Sequence, residues 1–144
     1  MVSTVAVGTD GSGTASKAVR AAIELAKAYE ARIVFLSVYH PVDEHRLRRE
    51  KREAPDDVQW SINPEEDVDA ILTEAEELAE EQGLRWASEA STGEPAEVLV
   101  RLADKYEADV LVIGNRGMHR RMLGSVPNSV THTANCAVYL VKTT

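Results

Sequence analysis

A doubly wound α/β domain, in which one parallel sheet is covered by helices on both faces, is the fold class this 144-residue sequence predicts. Three observations carry that expectation. Short apolar, β-branched runs recur at Thr4–Gly8, Arg32–Val38, Asp109–Ile113 and Ala137–Val141, with a more alternating run at Leu84–Ser91. Segments with apolar residues at helical spacing separate them. Glycine-containing turns follow the first and fourth runs, at Gly8–Gly13 and Gly114–Gly124. Strand alternating with helix gives a parallel sheet joined by right-handed crossovers. One domain over residues 1–144 is expected, because the length supports one core and no linker, repeat or low-complexity tract interrupts it.

Taken in order, Thr4–Gly8 reads as a buried strand closed by Thr9-Asp10-Gly11-Ser12-Gly13, a turn rich in helix-capping residues. Ala15, Ala18, Val19, Ala22, Ile23, Ala26 and Tyr29 then form the stripe of a helix, and Arg32–Val38 is a second buried strand. From Tyr39 to Asn63 the pattern dissolves into a proline-bounded, charge-rich stretch, long for a loop in a compact domain and typical of a lid or partner surface. Pro64-Glu65-Glu66 opens a helix with acidic residues at its positive end and Val68, Ile71, Leu72, Ala75, Leu78 and Ala79 on one face, stopped by Gly83. Leu84–Ser91 reads as a less buried, edge strand. Thr92-Gly93-Glu94-Pro95 starts a helix that turns Val98, Leu99, Leu102, Ala103 and Tyr106 inward. After the strand Asp109–Ile113, Ser125 is placed to cap a last helix running to about Asn135, and Ala137–Val141 is the fifth strand.

A formal charge of -8 opposes the approach of nucleic acid and anionic membranes, so neither is an expected partner. The single cysteine, Cys136, cannot build a disulfide framework and reads as a small core residue. Met1–Val7 has no basic region before its apolar residues and reads as a strand rather than a signal peptide. With no apolar run of spanning length, a cytoplasmic protein is expected.

The stretch with most chemical content is Ile113-Gly114-Asn115-Arg116-Gly117, continuing to Leu123-Gly124-Ser125-Val126. A buried strand, a glycine-punctuated loop and a helix start succeed one another there. Glycines let backbone N–H groups approach an anion, and a helix N-terminus offers unpaired N–H groups to it. In doubly wound sheets ligands bind at the carboxyl ends of strands where the winding reverses. Gly8-Thr9-Asp10 and Gly114–Ser125 are the two loops that meet at such a crevice. Other patterns carry less. Gly11-Ser12-Gly13 lacks the last glycine of a dinucleotide fingerprint, and no Walker lysine follows any glycine loop. His40, Asp43, Glu44 and His45 have no defined metal spacing, and Ser12, Ser125 and His132 lack a nucleophile elbow. Arg46–Arg52 is interrupted by Glu50 and has no interleaved aromatics, which favours a solvated face over a nucleic-acid patch.

Gly114-Asn115-Arg116-Gly117, Leu123-Gly124-Ser125-Val126-Pro127, Val7-Gly8-Thr9-Asp10-Gly11-Ser12 and Val138-Tyr139-Leu140-Val141 together resemble the universal stress protein family over the whole chain. The resemblance implies a five-stranded sheet of order 3-2-1-4-5 and a homodimer paired through the last strand, here residues 137–142. It implies an adenine nucleotide, ATP or AMP, with Mg accompanying the phosphates, and a stress-response regulator with little or no catalysis. Gly114, Gly117, Gly124 and Ser125 fall on the family's glycine motif. Val126 follows along the same helix start. Thr9 and Asp10, after Gly8, stand where the adenosine is contacted, with Asp10 accepting from the exocyclic amine and Val38 giving backbone and apolar contact to the base. Ile113 and Arg116 flank the first motif glycine. Six residues, Met118–Leu123, separate Gly117 from Gly124 where the motif has nine, which leaves fewer amides to wrap a polyphosphate. The alternative is an interaction scaffold of the same fold that has lost nucleotide binding.

Overall fold

The computed structural model describes residues 1–10, 13–39, 65–115 and 124–142. The elements are β1 (Thr4–Gly8), α1 (Gly13–Tyr29), β2 (Arg32–Tyr39), α2 (Glu65–Glu81), β3 (Trp86–Thr92), α3 (Pro95–Lys105), β4 (Val110–Asn115), α4 (Ser125–Thr133) and β5 (Ala137–Lys142). The stretch 40–64 and the loop 116–123, which includes Arg116 and Gly117, lie outside the described residues.

All five strands are parallel, in the order β3-β2-β1-β4-β5. Side chains that alternate across the pleat feed two cores. Val5, Val7, Ile33, Phe35 and Val112 pack under α1 and α2, while Ala6, Val34, Leu36, Val38, Leu111 and Ile113 pack under α3 and α4. That two-sided burial explains why β1 is apolar without alternation. At the edges, no residue of β3 or β5 is fully buried: β3 is partly covered from Ala87 to Ser91 and exposed at both ends, and β5 mixes partly covered and exposed positions. Among the described residues no helix is long and apolar enough to cross a membrane.

Three helices end on the same backbone device. Glu30 N–H donates to Lys27 O and Ala31 N–H to Ala26 O; the pairs Gly83/Leu84 and Glu107/Ala108 repeat the pattern onto Glu80/Ala79 and Asp104/Ala103. Each is a Schellman cap whose pivot takes positive φ: 54° at Glu30, 69° at Gly83 and 53° at Glu107. Only α2 uses the glycine that the sequence advertised.

At the amino end of the sheet, Asp109 Oδ2 accepts from Ser3 N–H at 2.7 Å and Thr4 N–H at 3.0 Å. These two donors hold its carboxyl below the usual carboxylate range. Beside it, Arg32 reaches Thr4 Oγ1 and Tyr106 O, at 3.1 and 2.9 Å. Edge strand β3 is fastened to α3 by Glu89, whose Oε1 accepts from Lys105 Nζ and Tyr106 OH, both at 2.7 Å. Lys105 first, then Tyr106, pull the Glu89 carboxyl down in pKa.

Several boundaries differ from the sequence expectation. β4 runs through Gly114 to Asn115, because those residues still pair with Val141 and Lys142 of β5. Tyr29 and Leu78, expected on buried stripes, are 45% and 37% exposed. Tyr29 is the last residue of its helix, and Leu78 lies at the margin of a stripe already filled by Ala75 and Ala79. Cys136 is half-buried rather than core, and burial pushes its thiol up in pKa.

Candidate functional site

The centre of the sheet opens at its carboxyl end. β1 and β4 pair through Val7 and Val112, and their ladder goes no further. Beyond it, Gly8 pairs with Leu36 of β2, while Ile113, Gly114 and Asn115 pair with Leu140, Val141 and Lys142 of β5. Each central strand thus leaves its inner partner and stays with its outer one. The gap falls where the winding reverses, since β1 leads through α1 to β2 on one side and β4 through α4 to β5 on the other.

Gly8, Thr9 and Asp10 form one rim, and all three are buried. Thr9 N–H donates to Leu36 O at 2.9 Å, and Thr9 O accepts from Ser37 Oγ at 2.6 Å. The turn is therefore fixed to β2 through both backbone groups of Thr9. In parallel strands the groups facing one neighbour recur every second residue. Because Leu36 O meets Thr9, the backbone of Val38 is directed to the same side, past the point where β1 has turned away. The Val38 side chain itself is fully enclosed in the core under α3 and α4. Only its backbone remains to serve a ligand.

The other rim is Ile113, Gly114 and Asn115, with the start of α4. Asn115 is 1% exposed, and its Oδ1 accepts from Gly124 N–H at 3.0 Å. That bond pins the helix start to the end of β4. Gly124, with φ −63° and ψ 167°, is the N-cap and brings no side chain to the task. Ser125, expected to cap, is instead the first helical residue and is exposed. The extended backbone conformation of Gly124 sets the boundary one residue earlier. Val126 and Pro127 are buried and anchor the helix against the core, and Asn128 N–H closes the first turn on Gly124 O.

The fold thus brings Gly8, Thr9, Asp10, Val38, Ile113 and Gly114 to the carboxyl ends of three neighbouring strands, with Gly124, Ser125 and Val126 tied to one of them. Arg116 and Gly117 lie outside the described residues. Two positioning residues were not nominated from sequence, Ser37 and Asn115. Ser37 left a signal, a hydroxyl inside an apolar run that reads as a buried strand, where it must find a partner; in the fold it is fully buried. Asn115 left none, since asparagine beside glycine reads simply as a turn. Among the described residues, no cluster of three or more His, Cys, Asp and Glu could hold a metal ion.

An open parallel sheet that parts at its reversal point, with a helix start pinned beside the gap, defines the class of α/β domains arranged to receive a ligand at the ends of their central strands. The model of the Universal stress protein family matches residues 1–142, and the chain belongs to that family. A universal stress protein of Mycobacterium tuberculosis is 36% identical over 148 residues, covering 98% of this chain and 97% of that one. One of Methanocaldococcus jannaschii is 32% identical, covering 96% of this chain and 81% of the relative. Among solved structures, a universal stress protein in complex with cAMP superposes with a TM-score of 0.75 at 32% identity, covering 99% of both chains.

Proposed function

We propose that this protein binds an adenine nucleotide in the opening between β1 and β4 and acts as a homodimeric, nucleotide-responsive stress regulator with little or no catalysis. The observation that carries this reading is the parting of the two central strands beside a helix start held by Asn115. The cAMP complex of the relative at 32% identity supports it. The base lies against Gly8 and Thr9, Asp10 accepts from its exocyclic amine, and the backbone of Val38 completes the edge recognition. Ile113 and Gly114 floor the opening. Gly124, Ser125 and Val126 meet the phosphate with backbone amides and the Ser125 hydroxyl, where the helix dipole favours negative charge. Gly117 and Arg116 extend the same loop, and Mg accompanies the phosphates of ATP. The protein works in the cytoplasm, away from nucleic acid and membrane.

Thermal unfolding with ATP, AMP and GTP tests the reading. A ligand that binds only the native state raises the midpoint, by about 2.7 kcal/mol of stability at a hundredfold excess over Kd. A rise with adenine nucleotides and not GTP is expected; no rise with any adenine nucleotide leaves the scaffold reading standing. Replacing Gly124 by a bulky residue separates the two readings again, since a nucleotide site loses binding while the fold survives.

A further inference from the structure

We infer that the Ser37 hydroxyl takes the place of the last rung between β1 and β2 and so keeps the Val38 amide available to a ligand, which makes Ser37 a positioning residue. Its consequence for binding rests on the nucleotide-site reading above. In a parallel pair, a residue that faces its neighbour donates its N–H to the residue before its opposite number and accepts at its C=O from the residue after it. β1 and β2 pair as far as Gly8 and Leu36, so the next pair along would be Thr9 and Ser37. Thr9 N–H follows the pattern, donating to Leu36 O at 2.9 Å. The other half of the pattern would bring Val38 N–H to Thr9 O. That oxygen instead accepts from Ser37 Oγ at 2.6 Å, and the ladder ends one rung early.

The residue type fits that task. Ser37 is fully buried in a strand whose other enclosed residues, Ile33, Val34, Phe35, Leu36 and Val38, are apolar. A hydroxyl costs free energy in such a place unless it is bonded, and alanine would fill much of the same space without that cost. The bond Ser37 makes goes to the carbonyl that the Val38 amide would otherwise meet. With Thr9 O taken, the backbone of Val38 is directed past the turn of β1 toward the opening, while its side chain stays enclosed under α3 and α4. The N–H and C=O of one extended residue lie on the same side, so Val38 offers a donor and an acceptor together.

Amide hydrogen exchange on the ligand-free full chain tests the early end of the ladder without any nucleotide. Val38 N–H should exchange faster than the ladder amide of Leu36, two residues earlier on the same side of β2. Val38 protected as strongly as Leu36 overturns the inference. In Ser37→Ala the vacated Thr9 O should recruit the Val38 amide, which then gains protection although the protein as a whole loses stability. A purely structural role predicts the opposite, a loss of protection at Val38 along with the rest of the strand. AMP affinity of the folded Ser37→Ala protein should fall about fivefold, the share of one hydrogen bond. Ile33→Val, at the far end of β2, lowers stability through the core and should leave AMP affinity unchanged. Unchanged Val38 exchange in Ser37→Ala, or an equal loss of affinity in Ile33→Val, overturns the inference. Wild-type protein that shows the expected exchange but does not bind AMP overturns the nucleotide-site reading and leaves the effect of Ser37 on the ladder in place.

Discussion

Single backbone angles and single carboxylates account for much of how this chain is held. Glu30 and Glu107 pivot their helix caps at φ 54° and 53°, where a Cβ crowds the backbone. Gly83 takes the same geometry in α2 without that cost. Glu30→Gly and Glu107→Gly should each stabilise the protein by about 0.5–1 kcal/mol, after allowance for the greater freedom of glycine in the unfolded chain. The two sites belong to different helices, so the gains should add in thermal or denaturant unfolding. Asp109 gives a pH prediction with a definite sign. Its folded pKa lies below the ordinary 3.8 because Ser3 and Thr4 donate to it. The stability it contributes is present above 3.8 and is lost as pH falls through the lowered folded value. Asp109→Asn should therefore lower the melting temperature at pH 7. The gap from wild type should close when melting is followed down below about pH 3.8.

Elements were legible in the sequence to the degree that their burial was one-signed. β1 and β2 are enclosed on both faces, so their apolar runs stood out. The stripes of α1 and α2 were recovered except at Tyr29 and Leu78, where helix end and stripe margin decide exposure rather than period. The boundary at α4 was displaced because glycine and serine are both acceptable N-caps, and composition cannot choose between adjacent candidates. The strand ends that border the opening were legible as glycines closing apolar runs, at Gly8 and Gly114. Asn115 was not, because its role depends on a partner nine residues away that only the folded chain brings within reach. Asn115→Ala tests that role at the scale of the element. It removes the acceptor for Gly124 N–H, so stability should fall by about 1 kcal/mol. Nucleotide affinity should fall further than stability, as the helix start is no longer fixed to β4. Unchanged affinity in the folded variant would remove Asn115 from the site.

At the scale of the whole molecule, β3 and β5 are the edges of the sheet among the described residues, and they differ in what they can accept. Beside β3 stand Glu76, Glu77, Glu80 and Glu81 with Trp86, so a second copy of this acidic chain meets like charge there. β5 carries Ala137, Val138, Tyr139, Leu140 and Val141, with Tyr139 46% exposed and Lys142 the only charge of the strand. Its outward groups follow from the ladder. Val5 and Val7 bond toward β2, so in the pairs Val5–Val110 and Val7–Val112 it is Val110 and Val112 that face β1, while Leu111 and Ile113 face β5. Leu111 and Ile113 are level with Val138 and Leu140, which makes Tyr139 the inner partner and turns the backbone of Leu140, like that of Val138, outward. A twofold pairing of β5 with its mate would use that outward N–H and C=O. Leu140→Pro deletes an outward donor without removing a ladder bond to β4, a position at which an edge strand tolerates proline. Sedimentation over a range of concentrations should give a dimer for the wild type and a folded monomer for Leu140→Pro. A variant that stays dimeric would move the interface away from β5.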